Sequence, residues 1–425
     1  MAIRIRMAAP ADWRSWRDLR LRALADTPDA FGETVAAASQ RDDAAWIAST
    51  AAQRSRGLLV AEHDGVAIGM TVARIAPDSP RTANLYAMWV APEARRLGVG
   101  RALLDAAIRW SRFGGASELA LRVTDSNTAA YQLYRDLGFV DMGRTEPLRP
   151  DSQLTTRVLV ARLGPLVMGV VNVTPDSFSD GGDFLDPEAA IAHGLALVRD
   201  GADILDVGGE ATNPQAGPVD ADEELRRILP VIEALAGTGA TVSVDTTKSV
   251  VARAAVAAGA SIVNDVSGGL FDPAMPRVLA DLDVTYIVGH LRGTSLSEVF
   301  AAEESAGWRE VSAELGERLA ALAGPTRARA WIDPGVGFGK GADPEGNLDL
   351  LRHAGDLGRA LGCPVVVGPS RKRFLRRLVG GDPDLIALDA ASVAACLGAV
   401  RAGAHVVRVH NVALLRAALA VYTRM

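Results

Sequence analysis

The sequence predicts an α/β protein in which residues 166–425 form a (β/α)8 TIM barrel, preceded in the chain by a separate α+β domain. The chain of 425 residues is too long for one ordinary core. After residue 166, eight short runs rich in Val, Ile and Leu lack polar alternation, as is typical of parallel strands covered by helices. The stretches between them carry helix signals. An open doubly wound sheet is the alternative, and eight successive repeats favour closure into a barrel.

The composition argues against several classes of partner. The formal net charge is −6 and no run of Lys or Arg stands out, which disfavours nucleic acid as a main partner. The N-terminus lacks the apolar segment of a signal peptide, and no uncharged apolar stretch reaches the roughly 20 residues that span a bilayer. We therefore expect a cytoplasmic protein with no membrane association. Cys363 and Cys396 are expected to be buried free thiols.

The first part of the chain has a different pattern, and we assign it to a domain of residues 1–163. Residues 57–75 predict two antiparallel strands joined by a turn at Asp64-Gly65. Residues 83–112 predict a strand, a basic loop with two glycines and an amphipathic helix. Residues 155–163 would form the last strand of this domain, with Gly164-Pro165 as a stiff joint before the barrel.

Polar residues follow or end the predicted barrel strands. The active face of such a barrel is built from the residues at the carboxyl ends of its strands. We therefore expect one rim to collect Asn172, Asp206, Asp245, Asn264, His290, Asp333, Lys372, Arg408 and His410. The chain has only three lysines, and all three lie near predicted strand ends. Lys248 and Lys340 are the other two, and structural ion pairing at the rim is an equally good interpretation of them.

The residue types at this rim indicate what it binds. Asp and Asn side chains can pair with the adjacent donors and acceptors of an amino-pyrimidinone edge. Arg408 and His410 lie two residues apart on one strand, so they share a face and can hold an anion together. Asn172 offers a neutral oxygen to a hydrated Mg²⁺ that bridges to phosphate. The rim therefore predicts a site for a heterocycle carrying a diphosphate.

Residues 166–425 resemble dihydropteroate synthase through seven motifs in order: "MGVVNVTPDSFSDGG", "DILDVGGEAT", "VSVDTTK", "IVNDVSGG", "IDPGVGFGK", "SRKRFL" and "RVHNV". The resemblance implies condensation of 6-hydroxymethyl-7,8-dihydropterin diphosphate with 4-aminobenzoate, with Mg²⁺ as cofactor and no protein nucleophile. It implies pterin binding by Asp206, Asp245, Asn264, Asp333 and Lys372. It implies diphosphate binding by Asn172, Arg408 and His410, of which Asn172 also meets the metal. It implies aminobenzoate binding by Phe178, Asp180, Thr212, Pro214 and Ser370. The catalytic set would be Asn172, Lys372, Arg408 and His410, and the family's habit of dimerising suggests a homodimer through the barrel.

The sequence also departs from that family. Its second loop reads "GGEATNPQ" where the pattern is G-G-E-S-T-R-P-G, so Asn213 replaces an arginine expected to touch the diphosphate. Gly289 stands where a methionine often precedes the histidine, and Asn411 replaces an aspartate. We interpret the chain as a synthase with a retuned loop, and altered sulfonamide discrimination is a hypothesis. A pterin-binding scaffold without turnover is the alternative.

The first domain resembles the GNAT acetyltransferases through "RRLGVG" and "NTAAYQLYRDLGF". Glycines let the backbone approach a diphosphate, and the following helix N-terminus offers free N–H groups. The resemblance implies acetyl-CoA as co-substrate, held by Arg95, Arg96, Gly98, Val99, Gly100, Arg101 and Asn127. Tyr134 would lie near the thiolate as a general acid, or else it packs in the core. A CoA-binding module without catalysis is the alternative for the whole domain, and the acetyl acceptor is not readable from the sequence.

Overall fold

The computed structural model describes residues 3–51, 53, 55–76, 79–150, 152–174, 187–210, 217, 219–238, 240–301, 305–340 and 343–423. The chain divides into two compact units, Met1–Gly164 and Pro165–Met425. Each unit has its own large cluster of buried apolar side chains. Cys363 and Cys396 are both buried and free, as expected.

The first unit is a seven-stranded sheet with helices. In chain order its elements are β1 Arg4–Met7, α1 Trp13–Asp26, α2 Val35–Ser39, α3 Asp43–Thr50, β2 Arg56–His63, β3 Val66–Ala76, β4 Ser79–Val90, α4 Val99–Phe113, β5 Glu118–Thr124, α5 Thr128–Asp136, β6 Val140–Pro147 and β7 Thr155–Arg162. Short 3-10 turns cover Pro10–Asp12, Pro28–Ala30 and Pro92–Ala94. The strand order is β1-β2-β3-β4-β5-β7-β6. The turn between β2 and β3 has positive φ at Asp64 and Gly65, as the sequence predicts.

A parallel pair of strands opens a cleft in this sheet. β4 and β5 are the parallel neighbours, whereas the other paired strands are antiparallel. Their register runs from Thr82 to Leu85 on β4 and ends there among the described residues. Beyond that point β4 carries a bulge, because its register against β3 shifts and Ala87 has a φ of 54°. The two strands therefore diverge at the bulge, where Ala87 and Met88 have no register partner on β3.

The second unit alternates strands and helices. Its elements are β8 Leu166–Asn172, α6 Pro187–Arg199, β9 Ile204–Gly208, α7 Ala221–Ala236, β10 Thr241–Asp245, α8 Ser249–Ala257, β11 Ile262–Asp265, α9 Met275–Ala280, β12 Thr285–Gly289, α10 Leu296–Ala301, α11 Trp308–Ala320, α12 Gly324–Arg327, β13 Ala330–Asp333, α13 Pro344–Arg352, α14 Ala354–Leu361, β14 Val366–Val367, α15 Arg373–Val379, α16 Leu385–Ala402, β15 Val406–Val409 and α17 Val412–Tyr422.

The eight strands of this unit form a closed parallel barrel. Their order is β13-β12-β11-β10-β9-β8-β15-β14, and every pairing is parallel. A parallel bridge between Ile332 and Val365 joins the two ends of the sheet. The predicted α/β class, with a C-terminal barrel that follows a smaller mixed domain along the chain, is therefore confirmed. All carboxyl ends of the strands meet at one rim.

One helix of the described residues, α16, is long and apolar enough to cross a membrane by length and composition alone. Its side chains at Val393, Cys396 and Ala399 are buried in the barrel's apolar cluster. A core helix meets the same criterion, so this property is weak evidence for membrane insertion.

Candidate active sites

The carboxyl rim of the barrel holds a buried network around one arginine. Arg408 on β15 donates from Nε to Asp206 on β9 at 2.6 Å and from Nη2 to Asp245 on β10 at 2.8 Å. Asn264 on β11 donates from Nδ2 to the same Asp206 oxygen at 3.0 Å. The other oxygen of Asp206 is buried without a hydrogen-bond partner among the described residues. Four side chains from four strands thus meet at one point, as the rim prediction expects.

Burial sets the protonation of these groups. It raises the pKa of Asp245 to about 7, against the opposing charge of Arg408. Burial acts to lower the pKa of Arg408, yet Asp206 and Asp245 hold it above its ordinary value. The guanidinium therefore stays charged, and Asp245 titrates near neutral pH.

Lys372 lies beside this network. Its Nζ stands 3.6 Å from the centroid of the Phe338 ring, in the loop after β13. Burial lowers the pKa of Lys372 to about 8; the charge of Arg408 acts in the same direction, and Asp333 and Asp245 oppose it. Asp333 ends β13 and accepts from the backbone N–H of Gly335 at 2.8 Å, while burial raises its pKa. Lys372 and Asp333 thus belong to the same electrostatic site as Arg408.

His410 and Ser370 form a pair on the same side of the rim. The Ser370 hydroxyl lies 2.9 Å from Nδ1 of His410 and also accepts from the His410 backbone N–H at 3.3 Å. Burial, with the nearby charge of Arg408, lowers the pKa of His410 to about 3. The imidazole is therefore neutral and can donate a hydrogen bond from a ring N–H to an anion. Ser370 precedes the short helix α15, and its hydroxyl is already hydrogen-bonded to this histidine.

Asn172 ends β8 and is paired in register with Gly208 of β9. Its amide oxygen is a suitable ligand for Mg²⁺. The described residues contain no group of three His, Cys, Asp or Glu side chains that could hold a metal. A magnesium ion here would therefore keep most of its waters and depend on the oxygens of its substrate, a role that Asn172 fits as a single ligand.

Several predicted residues cannot be placed. Phe178, Asp180, Thr212 and Pro214 lie outside the described residues, and so do Ala211, Asn213 and Gln215 of the second loop. The loop's root is described. Lys248 at the start of α8 forms ion pairs with Glu210, which precedes the loop, and at 2.6 Å with the fully buried Glu224 of α7. Val219, which follows the loop, donates its N–H to Glu210 at 3.4 Å. Sequence reasoning assigned no role to either glutamate: Glu210 stands inside the motif "DILDVGGEAT", and Glu224 lies in "DEELRR", which has the composition of an exposed helical turn.

His290 is fully buried and bonds away from the Arg408 network. Its Nε2 lies 2.9 Å from Glu314 of α11, and its Nδ1 lies 3.0 Å from Nζ of Lys340. Lys340 also donates to the carbonyls of His290 and Phe338, so the structure places it in a buried structural cluster. Burial lowers the pKa of Lys340 to about 7 and that of His290 to about 3. Glu314 was not predicted, since its partner is 24 residues away and no motif links them.

Two departures from the expected pattern have local structural reasons. A Cβ at Gly289 would lie 2.5 Å from backbone atoms of Asp265 and Val266, so a side chain does not fit there unless that backbone moves. Asn411 caps α17 and donates from Nδ2 to Asp389 at 3.0 Å, beside Arg371, which donates to the same carboxylate. An aspartate at 411 could accept for the cap but could not donate to Asp389.

The first unit contains a cavity of about 1120 Å³ at the divergence of β4 and β5. Seven of the eight residues predicted to bind acetyl-CoA line it: Arg95, Arg96, Gly98, Gly100, Arg101, Asn127 and Tyr134. The eighth, Val99, is buried in the apolar cluster of its unit, so only its backbone is available to a ligand. We call this cavity the cleft.

The loop at one end of the cleft has the backbone shape of an anion cradle. Arg96 and Gly98 have φ values of 64° and 84°, and α4 begins at the next residue. Left-handed residues of this kind turn successive N–H groups toward one point, and the first N–H groups of a helix have no partner within it. Arg95 is ion-paired with Asp26 and donates to the Val90 carbonyl at 3.1 Å. It therefore shapes the loop as well as facing the cleft.

Tyr134 is buried and still lines the cleft. Its ring packs on Phe139 with centroids 5.7 Å apart, and burial raises its pKa well above the ordinary value. Tyr134 thus packs in the core, as one interpretation expects, and its phenol stays protonated; its role as a general acid stays a prediction. Asn127 accepts from the Ala130 N–H at 3.1 Å as the cap of α5, which leaves its amide N–H₂ for a ligand.

Comparison with known proteins agrees with both resemblances. Residues 168–410 match the family model described as pterin binding enzyme, which is more than half of the chain. This chain belongs to the pterin-binding enzymes. Residues 15–139 match the acetyltransferase (GNAT) family. The chain is therefore a transferase of the dihydropteroate synthase kind that also carries a GNAT domain.

Individual relatives cover the pterin-binding part. The dihydropteroate synthase of Mycobacterium leprae is 45% identical over 257 residues, which are 58% of this chain and 88% of that protein. A folate synthesis bifunctional protein of Arabidopsis thaliana is 39% identical over 262 residues, and the match covers 54% of it. A Xanthomonas albilineans dihydropteroate synthase solved with 4-aminobenzoic acid has a TM-score of 0.56 and 45% identity, over 62% of this chain and 94% of that chain.

Proposed function

We propose that the barrel condenses 6-hydroxymethyl-7,8-dihydropterin diphosphate with 4-aminobenzoate and releases diphosphate. The observation that carries this proposal is the buried network of Asp206, Asp245, Asn264 and Arg408. Carboxylate and amide groups at the bottom of a rim can match the adjacent donors and acceptors of an aminopyrimidinone ring. Lys372 over the Phe338 ring adds a cation beside the heterocycle, and Asp333 balances its charge.

The chemistry begins with the departure of diphosphate. The bond between the pterin methylene carbon and the diphosphate oxygen breaks, and the electron pair leaves on that oxygen. Arg408 and the neutral His410 stabilise the leaving anion by charge and hydrogen bonding. The lone pair of the neutral aromatic amine then forms the new carbon–nitrogen bond, and the surplus proton passes to water. Positioning and electrostatics suffice for both steps, so no protein nucleophile is required.

Mg²⁺ is the proposed cofactor, with Asn172 as its protein ligand. When bound, the ion would neutralise charge on the diphosphate. Ser370 would meet the aminobenzoate carboxylate, and the first two loops would contact the rest of the aminobenzoate through Phe178, Asp180, Thr212 and Pro214. The rival scaffold function is favoured by Asn213, because the loss of a charge-assisted hydrogen bond typically costs about 1.5–3 kcal/mol.

The decisive experiment is diphosphate release by the full chain with Mg²⁺, the pterin diphosphate and 4-aminobenzoate. Asp245→Asn should lose pterin affinity, whereas Asp281→Asn on the exposed barrel surface is the matched control. Turnover by the natural chain supports the synthase. The turnover of an Asn213→Arg variant then measures how much the missing arginine of the second loop costs in activity. Turnover that appears only in Asn213→Arg supports the scaffold. No turnover in either chain rejects the synthase proposal.

We propose that the first unit transfers an acetyl group from acetyl-CoA to an amine. The cleft supports this role, since its basic glycine loop suits a pyrophosphate and the bulge in β4 leaves backbone N–H groups for an acyl oxygen. Tyr134 would donate its proton to the departing CoA thiolate. Release of free thiol in the presence of an amine, compared between the natural chain and Tyr134→Phe, tests this. Thiol release that is equal in both rejects the role of Tyr134, and none in either favours a CoA-binding module.

We also propose a homodimer through the barrel. Four exposed apolar side chains on the contacting helices α15 and α16 support it: Leu378, Val379, Leu385 and Ile386. Sedimentation of the natural chain against Ile386→Glu measures the association. A monomer at micromolar concentration in the natural chain rejects the proposal.

A further inference from the structure

The charge of the cleft restricts which amine it can accept. Five arginines line it, and among the described lining residues Glu146 is the sole acid. Glu146 is already paired with Arg122 at 2.6 Å. The glycine loop contributes three of the arginines, of which Arg95 is already paired with Asp26, and a pyrophosphate there would balance the other two. Because Arg122 is balanced by Glu146, the lining cation outside the loop that remains is Arg20 on α1, which lies against the Phe31 ring. A polycationic acceptor would meet repulsion here and no free acid.

Arg20 has one guanidinium nitrogen, Nη1, that makes no hydrogen bond to the described residues. Its side chain is 13% exposed, and Nε and Nη2 both donate to one oxygen of Glu33 at 3.2 and 3.0 Å. The other oxygen of Glu33 is taken by Arg41 at 2.5 Å, so one carboxylate serves two guanidiniums. Nη1 of Arg20 is buried with no hydrogen-bond partner among the described residues. The Phe31 ring lies under the guanidinium at 4.7 Å. This arrangement leaves one positive charge unbalanced.

The positive charge of the cleft also affects the protonation of the acceptor amine, which is the nucleophile. An acetyl acceptor must attack as the neutral amine, and neighbouring positive charges disfavour the protonated form. Amines of low basicity, such as aromatic amines and α-amino groups, would therefore be neutral in the cleft without a carboxylate base. Strongly basic alkylamines, with a pKa near that of lysine, about 10.4, would not enter in a reactive form.

We propose that the acetyl acceptor is a small amine of low basicity that carries a carboxylate, and that Arg20 binds this carboxylate. The inference rests on the proposed acetyl transfer. In that step the amine nitrogen bonds to the acetyl carbon and the carbon–sulfur bond breaks. The electron pair leaves on the CoA sulfur, which takes a proton from Tyr134. The amine's surplus proton goes to solvent, which reprotonates Tyr134.

The test uses the full chain, acetyl-CoA and matched acceptor pairs. One pair is 4-aminobenzoate with 4-aminobenzamide, the second is 3-aminobenzoate with 3-aminobenzamide, and spermidine is the polycation. The readouts are thiol release and calorimetric binding of each amine to the CoA-loaded chain. Each carboxylate should exceed its amide by about tenfold to hundredfold in kcat/KM and in affinity, as a charge-assisted hydrogen bond predicts. Spermidine should be inert.

Variants assign the preference to one residue. Arg20→Gln should remove the preference for the carboxylate while acetyl-CoA affinity is kept, and Arg14→Gln, exposed on the same helix, should change neither. A carboxylate preference that survives Arg20→Gln, or a preference for amides or spermidine, overturns the inference. No thiol release with any amine rejects acetyl transfer, and the binding preference then still decides the specificity of the cleft.

Discussion

Arg408 donates a 2.6 Å hydrogen bond to Asp206, a carboxylate with no exposed surface and one oxygen that has no partner among the described residues. Removal of one partner of a buried ion pair leaves the other charge uncompensated. Arg408→Leu should therefore lower the free energy of unfolding by about 3–5 kcal/mol. Urea denaturation measures this, and the double variant Asp206→Asn/Arg408→Leu should recover part of the loss. Strict additivity of the two substitutions would contradict the pairing.

Asp245 should contribute stability to the ligand-free chain that is lost as pH rises from about 4 to about 7. In contrast, His290 and His410, whose pKa values burial lowers from 6.5 to about 3, contribute stability that is gained from about pH 3 to about pH 6.5. The pKa of Asp245 is raised from an ordinary value of 3.8 to about 7. Between these two values Asp245 keeps a proton in the folded chain that it has released in the unfolded chain, so its own contribution to the free energy of unfolding falls as pH rises. Lys372 has the opposite order, because its pKa is lowered from 10.5 to about 8, so stability rises above pH 8.

Thermal unfolding from pH 4 to pH 10 measures both effects. Asp245→Asn removes the opposing contribution, so stability should rise more steeply with pH between about pH 4 and pH 7 in this variant than in the natural chain, and the rise above pH 8 should stay in place. An acid-side slope that is the same in the natural chain and in Asp245→Asn would show that another group titrates there.

Much of the fold and of the barrel site could be predicted, for physical reasons. Buried parallel strands have continuous apolar sequences, so even the two-residue strand β14, Val366–Val367, lies within one of the eight apolar runs that predict the barrel. The carboxyl ends of such strands must share a rim, so the sequence predicts that Asp206, Asp245 and Arg408 lie together. Partners on helices were missed. Glu224 and Glu314 belong to amphipathic segments in which an acid normally faces water, and only tertiary packing shows that they meet Lys248 and His290.

Gly289→Ala should destabilise the barrel severely. A Cβ there would lie 2.5 Å from backbone atoms of Asp265 and Val266, which cannot move aside as a flexible side chain can. We expect a loss of at least about 3 kcal/mol, in line with steric overpacking. Gly316→Ala in the middle of α11 is the matched control, since its Cβ would make an ordinary 3.4 Å contact. That control should be neutral or slightly stabilising in the same denaturation experiment.

Asn411→Asp, which restores the residue expected of the family, should destabilise this chain at neutral pH. Asp389 accepts from Asn411 at 3.0 Å and from Arg371 at 2.7 Å, and an aspartate at 411 would place a second carboxylate against it. The expected cost is about 1–2 kcal/mol. The loss should shrink near pH 4, where one carboxyl can hold a proton. Asn411→Ser keeps a capping oxygen without the charge and serves as the control; an equal loss in both variants would point to the lost amide donor alone.

Gly100 should be required by the ligand of the cleft and dispensable for the fold. It is the second residue of α4, and an added Cβ would make only an ordinary 3.4 Å contact with Leu133. Gly100→Ala should therefore keep or slightly raise the melting temperature, because alanine favours the helix by about 0.5–1 kcal/mol. The new methyl group faces the cleft, so acetyl-CoA affinity should fall at least about tenfold.

Gly98→Ala provides the contrast. Its φ of 84° strains any residue with a side chain, so this variant should lose both stability, by about 1–2 kcal/mol, and acetyl-CoA affinity. Calorimetric binding of acetyl-CoA and thermal unfolding on the same samples separate the two effects. The added methyl group of Gly100→Ala should block the approach of a ligand to the backbone at the start of α4. If this variant binds acetyl-CoA as tightly as the natural chain does, the pyrophosphate must bind elsewhere.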